Sequence, residues 1–227
     1  MKPILFSTPM IQAIQDGRKS MTRRVRGLDK INLNPDQWNL QSFEKDPELT
    51  AYDKNGNAYP KVKRGLIATF ENNEYGEVYR DIKCPWEVEM VLWVRETWTD
   101  LRGMGFGNDP LTDKPWNFSY RADIKPGSES DRARLDYGVK WHPSIFMPRA
   151  AARIFLKVTN VRVERLQDIT LGGCYAEGCP EKYETQPLAW FYEVWHNTIK
   201  AKDFTLYGRP ANPWVFVTEF EKVKYET

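Results

Sequence analysis

The sequence predicts an α+β fold in which a small barrel or strongly curved sheet of short strands is flanked by helices. Three observations carry that expectation. Apolar runs of strand length, several of them alternating, outnumber helical patterns along the chain. The longest alternation, "ARIFLKVTNVRVERL", puts Ile154, Leu156 and Val158 on one side. Helical spacing is confined to three places, and 227 residues suit one elaborated domain over 1–227 better than two independent ones.

Residues 3–6, "PILF", read as an opening strand. "STPMIQAIQDG" then carries a helix start and stop: Ser7 or Thr8 as N-cap, Pro9 in the first turn, Gly17 beyond the end. Met10, Ile11 and Ile14 form its apolar stripe. After Gly17 the chain turns and extends, with Thr22, Arg24 and Arg26 on one strand face and Met21, Arg23 and Val25 on the other. Residues 27–90 are poorly patterned. "DKNGNAYP" is a turn signal that heads a hairpin, with "GLIATFE" as one of its strands. "VLWVRETW" (91–98) is a clearer buried strand. The glycine-rich "RGMGFGNDPLTDKPWN" (102–117) is a loop leading into "FSYRAD".

Thr159-Asn160 mark a bend in the long alternating stretch. "QDITLGGCYAEG" starts as a helix capped by Asp168 or Thr170. "TQPLAWFYEVWHNTI" is an amphipathic helix with Leu188, Phe191, Tyr192 and Trp195 at helical spacing, and "NPWVFVTEFEKV" (212–223) closes the chain as a strand.

Composition narrows the function classes. A formal charge of +2 is too small for binding along an extended nucleic-acid backbone, so electrostatic attraction must be local. Nine Trp, eleven Tyr and eleven Phe suit either a compact β-rich core or a surface on which bases stack. The N-terminus lacks the pattern of a signal peptide, and no stretch reaches the ~18 apolar residues needed to span a bilayer. Cys84, Cys174 and Cys179 show no framework spacing, which points to free thiols in a reducing cytoplasm. His142 and His196, taken with Cys174 and Cys179, match no zinc spacing. "GMGFG" lacks the context of a dinucleotide fingerprint.

The stretch with the most chemistry is "GRKSMTRRVR" (17–26). Taken alone it is either a solvated helix-to-strand connection or the lining of a functional cleft. Arg95 and Glu96 interrupt the apolar "WVRETW", either as a buried ion pair shaping a pocket beside Trp93 and Trp98 or at the strand's exposed end. "WHPSIFMPR" offers Trp141, Ser144 and Arg149 as substrate contacts, or as turn and core residues.

"AIQDGRKSMTRR" resembles the Gly-x-Lys-x-x-Thr-x-Arg segment of ASCH domains, relatives of the PUA RNA-binding fold. "LWVRETW", "SIFMPRAAARI", "VRVERLQDIT", "AEG" and "NPWVFVTEFEKV" resemble, in order, the larger ASCH proteins of phages and prophages. The stretches 27–90 and 99–140 stand as insertions relative to the minimal domain. Many relatives carry a Gly-Asp turn before the "LWVRETW" strand, where this chain reads "WEVEMVLWV". The resemblance implies a PUA-like barrel and a nucleoside, nucleotide or RNA as partner, with no metal or organic cofactor and no membrane. The family includes hydrolases of N(4)-acetylcytidine, a reported ribonuclease and many members without known activity.

In the amidohydrolases the implied set is lysine as proton acceptor, threonine as nucleophile and glutamate as proton donor, which fall here on Lys19, Thr22 and Glu177. Amide hydrolysis needs those roles plus donors for the developing oxyanion. Lysine is a base only when neutral, and Arg18, Arg23 and Arg24 nearby would lower its pKa by like-charge repulsion. Arg24, two residues beyond Thr22 on the same strand face, is placed to hold an acyl oxygen or a phosphate. In a competing mechanism Glu177 activates water while Lys19 as a cation stabilises the oxyanion. With the same residues, a non-catalytic module would capture a modified base or RNA.

Overall fold

Among the described residues, short helices stand on either side of a run of eight consecutive strands between residues 38 and 120. The computed structural model describes residues 1–52, 54–55, 57–76, 78–105 and 117–224. In chain order they form β1 (Lys2–Leu5), α1 (Thr8–Gln15), β2 (Met21–Arg24), α2 (Asp29–Asn32), β3 (Trp38–Lys45) and β4 (Glu48–Tyr52). Next come β5 (Ala58–Val62), β6 (Leu66–Asn72), β7 (Tyr79–Lys83), β8 (Val91–Arg95), β9 (Trp98–Asp100) and β10 (Phe118–Tyr120). The remainder is α3 (Glu129–Asp136), β11 (Phe155–Arg165), α4 (Leu171–Ala176), α5 (Pro187–Thr198), α6 (Phe204–Tyr207) and β12 (Trp214–Val223), with single 3-10 turns between several of these. The class is α+β with parallel and antiparallel pairing, and neither unit described below contains a closed barrel among the described residues.

The chain divides into two compact units, each assembled from separate segments. The first comprises Met1–Lys19, Val91–Lys157 and Glu221–Thr227. In it β1 runs parallel to β8, with Pro3 opposite Trp93, and the first residues of β11 pair antiparallel to β8. α1 begins after Ser7, carries Pro9 in its first turn, and buries Ile11, Ala13 and Ile14. Met10 is only half-buried, so Ala13 completes the stripe. Gly17 ends the helix at φ +77, a left-handed conformation costly for a residue with a Cβ.

"VLWVRETW" is not one strand: β8 stops at Arg95 and β9 resumes at Trp98, pairing with β10. Trp93, Trp98, Met147, Ala151, Ala152 and Phe155 form one buried cluster. The glycine-rich loop lies outside the described residues from 106 to 116.

The second unit comprises Ser20–Met90 and Val158–Phe220. β12 pairs antiparallel to β2, with Thr218 opposite Thr22 and Phe216 opposite Arg24. Where the sequence shows little pattern, β3, β6 and β7 form a three-stranded sheet in the order β3-β6-β7. "DKNGNAYP" heads the separate β4–β5 hairpin, whose last pair is Tyr52 with Ala58; residues 53 and 56 of that turn lie outside the described set. "GLIATFE" therefore belongs to a different ladder from the turn assigned to it.

No bend breaks β11 at Thr159-Asn160; the strand continues through both exposed residues. In place of the Gly-Asp turn before β8, Met90 N–H donates to Glu87 O (3.1 Å) and Glu89 takes φ +70. A side chain in that region costs about 1 kcal/mol. Along α5, Trp190, Phe191, Tyr192 and Trp195 are buried, whereas Leu188 stays exposed.

Candidate functional site

Two segments far apart in sequence meet in the second unit. The first is the start of β2, held in the sheet by β12. The second is the C-terminal end of α4. This helix is only six residues long, too short to be stable by propensity. It starts where Thr170 Oγ1 accepts from Gly173 N–H at 3.0 Å, so Thr170, not Asp168, is the cap. It ends at Glu177, whose N–H donates to Gly173 O at 2.9 Å. The tie between the segments is main chain to main chain: Ser20 N–H donates to Ala176 O at 2.9 Å. Thr170→Ala is expected to cost about 1 kcal/mol in chemical denaturation, with Thr170→Ser retaining most of the stability.

Arg23 fills the space that this tie creates. Its side chain is 1 % exposed, and it donates through Nε (3.0 Å) and Nη2 (2.6 Å) to Glu164 Oε1. Nη1 donates to Glu177 Oε1 at 3.2 Å and contacts Met21 Sδ at 3.4 Å. The guanidinium carbon lies 5.6 Å from the Phe191 ring centroid, a cation–π distance. Gly173 allows this approach, because a Cβ there would stand 3.2 Å from Arg23 Nη2. Glu177 is thus positioned by an arginine 154 residues earlier in the chain.

Thr22 is buried at 4 % exposure and faces Thr218, which is fully buried with its Oγ1 unpartnered among the described residues. Arg24 is half-buried at the end of β2. Burial pulls its pKa below the usual arginine value, and the nearby Glu177 carboxylate offsets part of that. Beside it opens a cavity of about 280 Å³ lined by Arg23, Arg24, Val25, Trp195, Thr198, Ile199, Lys200, Asp203 and Tyr207. Trp195 is fixed by donation from Nε1 to Tyr207 O (2.7 Å), and Tyr207 by donation from its hydroxyl to Asp29 Oδ1 (2.7 Å). Burial pushes the Tyr207 hydroxyl up to about 12, with Asp29 adding to the shift, so it stays protonated at neutral pH.

The other residues singled out from the sequence belong to the first unit. Lys19 is buried at 4 % exposure; its N–H donates to Ala13 O (3.0 Å) and its ammonium lies 5.7 Å from the Phe6 ring centroid. Arg18 pairs with Asp16 at 2.8 Å near the surface. Arg95 stacks on Trp93 at 4.7 Å and leaves its Nε without a partner among the described residues.

Glu96 is 1 % exposed and is ion-paired, but with Arg153 rather than its neighbour Arg95. Arg153 Nε and Nη2 reach its two oxygens at 2.9 and 3.0 Å, and the same guanidinium holds Asp123 and lies 3.9 Å from the Tyr120 ring centroid. Trp98 and Trp141 are packed, the first against His142 (5.4 Å) and the second under Arg134 (5.1 Å) and Arg121 (5.9 Å). Their indole N–H groups are buried and lack partners among the described residues. Ser144 lies in a 3-10 turn, and Arg149 is exposed with Nη2 3.2 Å from Met1 Sδ.

Burial raises the Glu96 pKa above the ordinary glutamate value of 4.5, with Arg153 opposing. Between 4.5 and the raised value the native state holds a proton that the unfolded chain has released, so stability falls as pH rises through that window. Melting temperatures of the wild type should therefore fall relative to Glu96→Gln as pH rises above the ordinary glutamate value of 4.5. A relative gain with rising pH would mean that the pairing with Arg153 outweighs burial.

Glu164, Trp195, Lys200 and Tyr207 are the site residues that the sequence reading missed. The alternation of β11 signalled Glu164 only as a strand residue, and the aromatic spacing of α5 marked Trp195 as core. All three cysteines are buried, and none forms a disulfide among the described residues. Among the described residues no group of His, Cys, Asp and Glu converges in a way that could hold a metal ion, and no helix is long and apolar enough to cross a membrane. No family model, curated protein or solved structure matches this chain.

Proposed function

We propose that this is a cytoplasmic ASCH-type protein of PUA-like ancestry that acts on a nucleoside, nucleotide or base of RNA, hydrolysing the acyl amide of a modified cytidine. The observation that supports this reading is that Ser20 and Arg23 of "AIQDGRKSMTRR" meet Ala176 and Glu177 of "AEG", two of the stretches that carry the resemblance, through Ser20–Ala176 and Arg23–Glu177. In the proposed reaction Thr22 Oγ attacks the acyl carbon as Lys19, three residues earlier in the chain, takes its proton. The proton taken from Thr22 then passes through the Glu177 carboxylate, steadied by Arg23, to the departing N4 amine. Water then cleaves the acyl-threonine to release acetate and restore the hydroxyl.

Incubation of the purified protein with N(4)-acetylcytidine should yield cytidine and acetate. Thr22→Val, Lys19→Ala and Glu177→Gln should each lower kcat by at least about 10²-fold. Wild-type protein without turnover would refute the hydrolase, and equal turnover by Lys19→Ala would remove that residue from the mechanism.

Non-catalytic capture of a base or of RNA is the second reading, favoured by the aromatic and cationic lining beside Arg24. Binding that weakens steeply with salt, with no turnover of any acylated nucleoside, would select it over the hydrolase.

A further inference from the structure

The cavity beside Arg24 carries more information than the reaction above uses. At about 280 Å³ it falls just below the ~300–1,000 Å³ that enclose whole ligands, so it suits one end of a ligand. Its charged lining comprises Arg24 at the end of β2, Lys200 and Asp203 after α5, and Arg23, whose guanidinium is engaged by Glu164 and Glu177. Two cations therefore face one carboxylate. Trp195 and Tyr207 are locked by their own hydrogen bonds, and a pre-formed wall loses little entropy when a ligand arrives. Arg24 also lies two residues beyond Thr22 on the same strand face.

We infer that this hollow is an anion subsite that grips the phosphomonoester of a nucleotide between Arg24 and Lys200. This rests on the nucleoside-directed reading for the rest of the ligand, and it makes the preferred ligand a nucleotide, not a free nucleoside. The phosphate contact itself stands on the cavity alone. The subsite suits a planar guanidinium fork and a mobile ammonium acting together on one phosphate.

Calorimetric titration with cytidine, cytidine 5′-monophosphate and inorganic phosphate tests the subsite. The monophosphate should bind at least about tenfold more tightly than cytidine, and inorganic phosphate should compete with it. Lys200→Ala, at an exposed position that leaves folding intact, should reduce that preference several-fold while cytidine affinity stays within about twofold. Arg24→Gln, scored only where its melting temperature matches the parent, should abolish the preference. Equal affinity for cytidine and its monophosphate, or no phosphate competition, overturns the subsite. Hydrolysis of acetylcytidine with no phosphate preference would sink the subsite and leave the hydrolase standing. Phosphate-dependent binding without hydrolysis would do the reverse.

Discussion

Replacing Arg23 with methionine is expected to destabilise the second unit by about 3–5 kcal/mol, the cost of stripping the partner from buried carboxylates. The side chain is 1 % exposed and serves Glu164 and Glu177 at once. Methionine matches its length but takes the cation from Glu177 and leaves Glu164 to Arg162, 2.9 Å away. Chemical denaturation followed by tryptophan fluorescence would measure the loss. The triple variant Arg23→Met, Glu164→Gln, Glu177→Gln should recover most of it, because no charge is then left without compensation. A loss below about 1 kcal/mol in the single variant would show that water or another cation reaches the acids. Arg23→Lys should fall between, since one ammonium cannot reproduce the forked contacts to two carboxylates.

Phe70→Ala should cost a similar amount, about 3–5 kcal/mol. Phe70 is fully buried in β6, and its ring stands edge-on to Trp214 of β12, with centroids 5.2 Å apart. The residues that look like an insertion at 27–90 thus supply the core under a strand of the candidate site. A second tie is polar: the Asn32 side chain donates to Trp214 O (3.0 Å) and accepts from Trp214 N–H (2.7 Å). The variant should lose the cooperative melting of the whole second unit, as seen by hydrogen exchange at β2 and β12. If exchange quickened only in β3, β6 and β7, that sheet would be an appendage and not part of the core.

These particulars show what could be read in advance. The ends of α1 and α4 were legible because Gly17 and Thr170 act through local backbone chemistry. The strand alternation before Glu164 and the aromatic spacing of α5 were legible because one face of each packs inward. β3 was hidden because a register shift between Leu40 and Ser42 breaks its alternation. α3 was hidden for a different reason. Asp131 is its only buried residue, and it is set by its cap: Ser128 Oγ accepts from Asp131 N–H (3.3 Å), while the Asp131 carboxylate accepts from Gly127 N–H (3.0 Å) and Arg134 Nη2 (3.0 Å).

Arg95 and Glu96 illustrate a third limit. Neighbours on an extended chain point to opposite sides, so adjacency argued against the pair it suggested. Glu96 instead found Arg153, 57 residues away. In the same way the alternation separated Arg23 from Arg24 correctly, but only tertiary packing could reveal that carboxylates claim Arg23.

The junction of Ser20 with Ala176 uses peptide groups alone, so the identity of the neighbouring side chains does not enter into it. Side chains at positions 22 and 24 can accordingly be exchanged without touching this tie, whereas Glu177 is bound to Arg23 as well. A scaffold of this kind lets mutation explore new chemistry without first having to reinvent the place where it happens.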